Sequence, residues 1–167
     1  MGTRLLAAGR GNERGHFEDL DFQELHQKAL RASGYHADGI LAAGHPAVPE
    51  GLEARARELV ALRRATGKPW GWKDPRTLLF LDFWLESVPE ASWLFVFRSP
   101  WEVADSLYRR LDETTTSDPL LAIEAWHHAN RLILDFVRRH PGRCLLRELG
   151  QVLSLIHISE PTRPERI

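Results

Sequence analysis

Three short polar runs have the residue types and spacing to do chemistry. Arg98 follows five apolar residues, Trp93-Leu94-Phe95-Val96-Phe97, and precedes Ser99-Pro100. A guanidinium thus stands where a strand leaves the core and a helix begins. Helix N-termini attract anions through free N–H groups and the axial dipole. Ser106 lies eight residues beyond Arg98. Helical side chains lean N-terminally, so its hydroxyl can point back towards the strand end. Arg98, the helix start and Ser106 would together cradle a phosphate, each charge-assisted contact contributing about 1.5–3 kcal/mol. The plainer alternative is a surface ion pair of Arg98 with Glu102, worth under about 1 kcal/mol.

The second run is Lys73-Asp74-Pro75-Arg76. Lys73 at the end of an apolar segment can set a positive charge beside a developing anion. Asp74 before Pro75 suits a helix cap. Arg76 in a first helical turn opposes the dipole, and a bound anion would explain it; the alternative is contact with Asp82 or Glu86. The third run is Gly15-His16-Phe17-Glu18-Asp19, where a carboxylate and an imidazole can furnish a general base. Equally, Glu18 and Asp19 suit the first turn of a helix. His127 and His128 have no third ligand at zinc spacing, so no metal site is expected.

These residues need elements to position them. Leu20, Phe22, Leu25, Ala29 and Leu30 recur at helical spacing up to Ser33-Gly34, and residues 34–51 read as a loop. Leu52 to Ala65 and Thr77 to Glu86 read as helices, the latter after Pro75. Trp70-Gly71-Trp72 is compatible with a short buried strand. Trp93 to Phe97 is the clearest strand, apolar on both faces as in a parallel sheet. Trp101 to Leu111 and Leu120 to Arg139 read as helices, and Cys144-Leu145-Leu146 as a further strand. Strands alternating with helices predict an α/β fold with a parallel sheet. In such sheets ligands sit at the C-terminal ends of strands, where two of the polar runs fall.

Composition narrows the function classes. The chain has 167 residues, one domain's worth, with 22 basic against 23 acidic residues and a net charge of −1. That balance argues against non-specific nucleic-acid binding. A single cysteine, Cys144, excludes an internal disulfide framework. No apolar run approaches the roughly 20 residues of a membrane span, and Met1 to Arg14 lacks the pattern of a signal peptide. A cytoplasmic location is the expectation. Leu153 to Arg163 resembles the translation of a transposon-type sequencing adapter, so residues 153–167 are expected to be an artefact tail and 1–152 the domain. His157 and Ser159 are therefore not site candidates.

The segment Phe95-Val96-Phe97-Arg98-Ser99-Pro100-Trp101-Glu102-Val103-Ala104-Asp105-Ser106 resembles the 3′-phosphate-binding segment of sulfotransferases that use 3′-phosphoadenosine 5′-phosphosulfate (PAPS). Gly71-Trp72-Lys73-Asp74-Pro75-Arg76 is similar to the Lys-Asp-Pro segment of the bacterial and tyrosylprotein-type members, and Gly11 to Asp19 to the loop after the first helix in the bacterial group. Cys144-Leu145-Leu146-Arg147-Glu148 resembles a later strand of the family.

The resemblance implies a P-loop-NTPase-like parallel sheet flanked by helices, here a fragment lacking the first strand, the P-loop and the first helix. It implies transfer of a sulfuryl group from PAPS, as co-substrate and without a metal, to a hydroxyl or amine. The acceptor would be a small molecule, a glycan or a peptide. Arg98 and Ser106 would hold the 3′-phosphate, with Arg76 a further cofactor contact. Lys73 would stabilise charge on the transferring group, and Glu18, or failing it His16, would be the base. Lacking the 5′-phosphosulfate loop, the chain would be inactive by itself. The rival expectations are a nucleotide kinase on the same fold and a non-catalytic α/β interaction domain.

Overall fold

The computed structural model of the chain describes residues 4–7, 16–40, 42, 44–109 and 119–152. Helix α1 (Leu20–Ala32) is capped by Asp19, whose carboxylate accepts from the Asp21 backbone N–H. Helix α2 (Glu50–Arg64) follows Pro49. Asp74 then caps a 3₁₀ segment, Pro75–Phe80, which runs into α3 (Leu81–Ser87). Strand β1 (Trp93–Phe97) leads to α4 (Pro100–Arg109), and α5 (Pro119–Arg139) returns to β2 (Cys144–Glu148). The two strands pair in parallel, Trp93 opposite Cys144 and Phe97 opposite Glu148. The described chain is therefore mixed α/β with a small parallel two-stranded sheet. The proposed Gly9–Gly15 loop and the 153–167 tail lie outside the described residues.

The core is an aromatic stack between α1, the 3₁₀ segment and α3. Phe22 lies parallel to Trp72 at 4.3 Å between ring centroids, and both meet Trp84. Phe22, Leu25, Ala29 and Leu30 form the buried stripe of α1 and reach Leu79 and Phe80. Leu59 and Val60 bring α2 onto the same core. Gly39 sits at φ +73°, and a Cβ there would come within 2.8 Å of Leu79 Cδ1. The left-handed backbone and the close approach both require glycine.

Three sequence expectations are corrected. Residues 70–72 form no strand: Trp72 turns its ring into the core, and the next carbonyl, Lys73, accepts from Asp19 N–H at 3.4 Å. The helix expected from Thr77 begins instead as the 3₁₀ segment, and α-helix starts only at Leu81. Strand β1 is not covered on both faces. Trp93 and Phe95 pack on Phe136 of α5, while Leu94 and Val96 on the opposite face are exposed.

Candidate functional site

Two of the three polar runs meet. Lys73 Nζ donates to the His16 carbonyl at 2.9 Å and lies 3.4 Å from Glu18 Oε1. Arg76 Nη1 lies 3.5 Å from Glu18 Oε2 and donates to Asp74 Oδ1 at 2.8 Å. Its Nε donates to the Ala37 carbonyl at 2.8 Å. Gln23 Nε2 completes the cluster with a 2.8 Å bond to Glu18 Oε2. Residues 55 or more positions apart in sequence thus converge on one carboxylate.

The local fold explains the meeting. Leu5 bridges Asp19 in antiparallel fashion, and Leu6 N–H donates to the Glu18 carbonyl at 2.8 Å, which pins the entry to α1. Asp19 N–H on the Lys73 carbonyl lays the 73–76 run beside it. Between the pinned residues His16 and Glu18, Phe17 has φ +55° and an exposed ring. A bulky residue in the left-handed region is strained, and such strain persists only where its surroundings over-determine it.

Glu18 is buried, with 8% of its side chain exposed, whereas Lys73 is about half exposed at 52%. Two cations, Lys73 and Arg76, face two carboxylates, Glu18 and Asp74. The charges balance, so the cluster is not a bare anion hole. The two cation–Glu18 distances, 3.4 Å to Lys73 and 3.5 Å to Arg76, are the longest in the cluster. Burial pushes the Asp74 carboxyl up, but the bond from His26 and the charge of Arg76 outweigh it and hold the group below the ordinary aspartate value. Of His16, only the backbone carbonyl is engaged; among the described residues its imidazole takes no hydrogen bond. Arg76 turns away from its expected alternatives, since Asp82 pairs with Arg139 instead.

Arg98 and Ser106 occupy a separate unit. Arg98 is exposed at the end of β1, and its carbonyl accepts from Trp126 Nε1 at 2.9 Å, which fixes the strand end against α5. Ser106 is half-buried on α4. The expected alternative pair of Arg98 with Glu102 is replaced by a capping box. Ser99 N–H and Oγ donate to Glu102 Oε2 at 3.1 and 2.9 Å, and Glu102 N–H returns to Ser99 Oγ at 3.4 Å. These bonds, helped by the charge of Arg98, hold the Glu102 carboxyl below its ordinary value. With Glu102 committed to Ser99, the Arg98 guanidinium makes no hydrogen bond among the described residues.

Sequence reasoning missed His26, which is fully buried beside Asp74. It sits one turn after Phe22 on the buried stripe of α1, so the helical spacing held the signal. It also missed Gln23 and the pairing of Arg63 with Asp19 and Asp21. The Arg63 contacts cross from α2 and leave no local pattern. In comparisons with protein-family models, curated proteins and solved structures, nothing matched.

Proposed function

We propose that this chain is part of a PAPS-dependent sulfotransferase on a P-loop-NTPase-like α/β fold. The observation that carries the reading is the convergence of Lys73 and Arg76 on the buried carboxylate of Glu18, with the His16 carbonyl holding Lys73 beside it. Two motif segments with the residue types for chemistry meet in space, and Arg98 stands exposed at the end of β1 in a separate strand–helix unit. Sulfuryl transfer needs positioning and charge stabilisation above all. Lys73 Nζ, half exposed, would move from Glu18 to the transferring sulfuryl group. Glu18, relieved of that cation, would accept the proton of the acceptor hydroxyl or amine as its oxygen or nitrogen bonds to sulfur, while the bond from sulfur to the 5′-phosphate oxygen breaks and adenosine 3′,5′-bisphosphate leaves. Arg98 and Ser106 would hold the 3′-phosphate of the nucleotide.

The test is calorimetric titration of adenosine 3′,5′-bisphosphate, AMP and ATP into the chain and its Arg98→Ala variant. Tighter binding of the bisphosphate than of AMP by about tenfold or more is expected, from a charged contact of about 1.5–3 kcal/mol. Arg98→Ala should erase that difference. Equal affinities for bisphosphate and AMP remove the 3′-phosphate role. A preference for ATP moves the chain to the nucleotide kinases, and no binding of any of the three removes the 3′-phosphate role of Arg98 from this chain.

A further inference from the structure

Behind the Lys73–Glu18–Arg76 cluster lies a buried histidine that the reading above leaves without a task. His26 is fully buried, and its ring stacks on Phe80 at 5.1 Å and meets Trp84 edge-on. Trp84 Nε1 donates to His26 Nε2 at 2.8 Å. An indole N–H can only donate, so Nε2 is the accepting nitrogen and the ring hydrogen sits on Nδ1, an assignment made from the partners. Nδ1–H then donates to Asp74 Oδ2 at 2.7 Å. The other oxygen of Asp74 accepts from Arg76 N–H at 3.1 Å and from Arg76 Nη1 at 2.8 Å. With Nε on the Ala37 carbonyl as well, the planar guanidinium is held at two of its three nitrogens. Nη2 has no partner among the described residues, and its direction is fixed by the other two.

We propose that His26 is a positioning residue: Trp84 and the Asp74 carboxylate together fix its Nδ1–H tautomer, His26 holds Asp74, and Asp74 aims the free Nη2 edge of Arg76 at an anionic group bound beside Glu18 and Lys73. The proposal rests on the sulfuryl-transfer reading for the identity of that anion, the sulfuryl group or the departing 5′-phosphate. Capping alone does not account for the arrangement. A cap needs only the Asp74 Oδ1 bond to Arg76 N–H, and an apolar residue at position 26 would continue the stripe of α1 without desolvating a His–Asp pair. A carboxylate behind a working cation is instead the arrangement by which outer partners orient the group that meets the ligand.

The experiment compares His26→Asn, whose amide N–H can replace Nδ1–H towards Asp74, with His26→Leu, which fills the space but donates nothing. Nitrogen-15 NMR of the wild-type chain should show one neutral Nδ1–H tautomer for His26 at pH 7 and a slowly exchanging Arg76 Nε–H. In His26→Leu that exchange should quicken, and affinity for adenosine 3′,5′-bisphosphate should fall about tenfold, the lower end of outer-partner effects. His26→Asn should restore both. An Nε2–H tautomer in the wild type overturns the proposal. So does a folded His26→Leu with unchanged Arg76 exchange and unchanged affinity. Should His26→Leu not fold, His26→Asn is decisive: slow Arg76 Nε–H exchange and near wild-type affinity are expected, and a folded His26→Asn with quickened exchange and weakened affinity refutes the positioning role. The tautomer and exchange readouts need no ligand. Failure of the wild type to bind the bisphosphate would therefore sink the sulfuryl reading while leaving the His26–Asp74–Arg76 arrangement standing or falling by itself.

Discussion

Phe17 and Asp74 show what single residues contribute here. Phe17 holds a left-handed backbone while its ring stays exposed, so burial does not offset the strain. Phe17→Gly should raise stability by about 1 kcal/mol, since glycine adopts that region freely. A urea midpoint unchanged or lowered by the substitution would show that the backbone is not strained. Asp74 is a matter of linkage. Its folded pKa lies below its unfolded value, so the ionised group stabilises the fold above the unfolded value of about 3.9. That stabilisation is lost as pH falls from there through the folded value. Asp74→Asn should therefore be less stable than the wild type at pH 7, with the gap closing in urea melts as pH drops below about 4. A gap independent of pH would mean that the charge of Asp74 contributes nothing. The types of Lys73, Glu18 and Arg76 were legible as chemistry in the sequence. Their mutual distances were not, because contacts across 55 or more residues leave no periodicity to read.

Among the elements, α1, α2, α4 and α5 follow the apolar spacing and punctuation of the sequence to within a few residues. Start signals are local and strong: Asp19, Asp74 and Ser99 each accept a bond from a backbone N–H two or three residues on. Ser99→Ala should cost about 1 kcal/mol by removing the capping box of α4. A change in chemical-denaturation stability below about 0.3 kcal/mol would show that the box is dispensable, against the usual 0.5–2. The 70–72 segment went the other way. Its apolar residues resembled a strand, yet Trp72 fills the aromatic core and its neighbour's carbonyl bonds to Asp19 rather than to a strand. Short apolar runs carry no period that separates a ladder from an aromatic plug.

At the scale of the whole molecule the sheet is one-sided among the described residues. Trp93 and Phe95 pack on Phe136, which is fully buried, whereas Leu94 is 61% exposed. Trp93→Ala should cost about 3–5 kcal/mol as a core truncation. Leu94→Lys should stay within about 0.5 kcal/mol of the wild type, as surface substitutions do. Comparable losses from both in thermal or urea unfolding would show that the second face is packed in solution. No helix among the described residues is long and apolar enough to cross a membrane.

By itself the sequence determined α1, α2, α4 and α5 to within a few residues, the cap residues Asp74 and Ser99, and the parallel pairing of the strands. These follow from interactions within a few positions along the chain, where spacing and propensity act directly. Only the tertiary structure decided which face of β1 is covered, that Glu18 lies between Lys73 and Arg76, and that His26 stands behind Asp74. Those are outcomes of long-range packing, in which the aromatic core of Phe22, Trp72 and Trp84 sets α1 against the 73–76 run. Local preference is blind to such contacts because their partners are chosen by shape and burial rather than by distance along the chain.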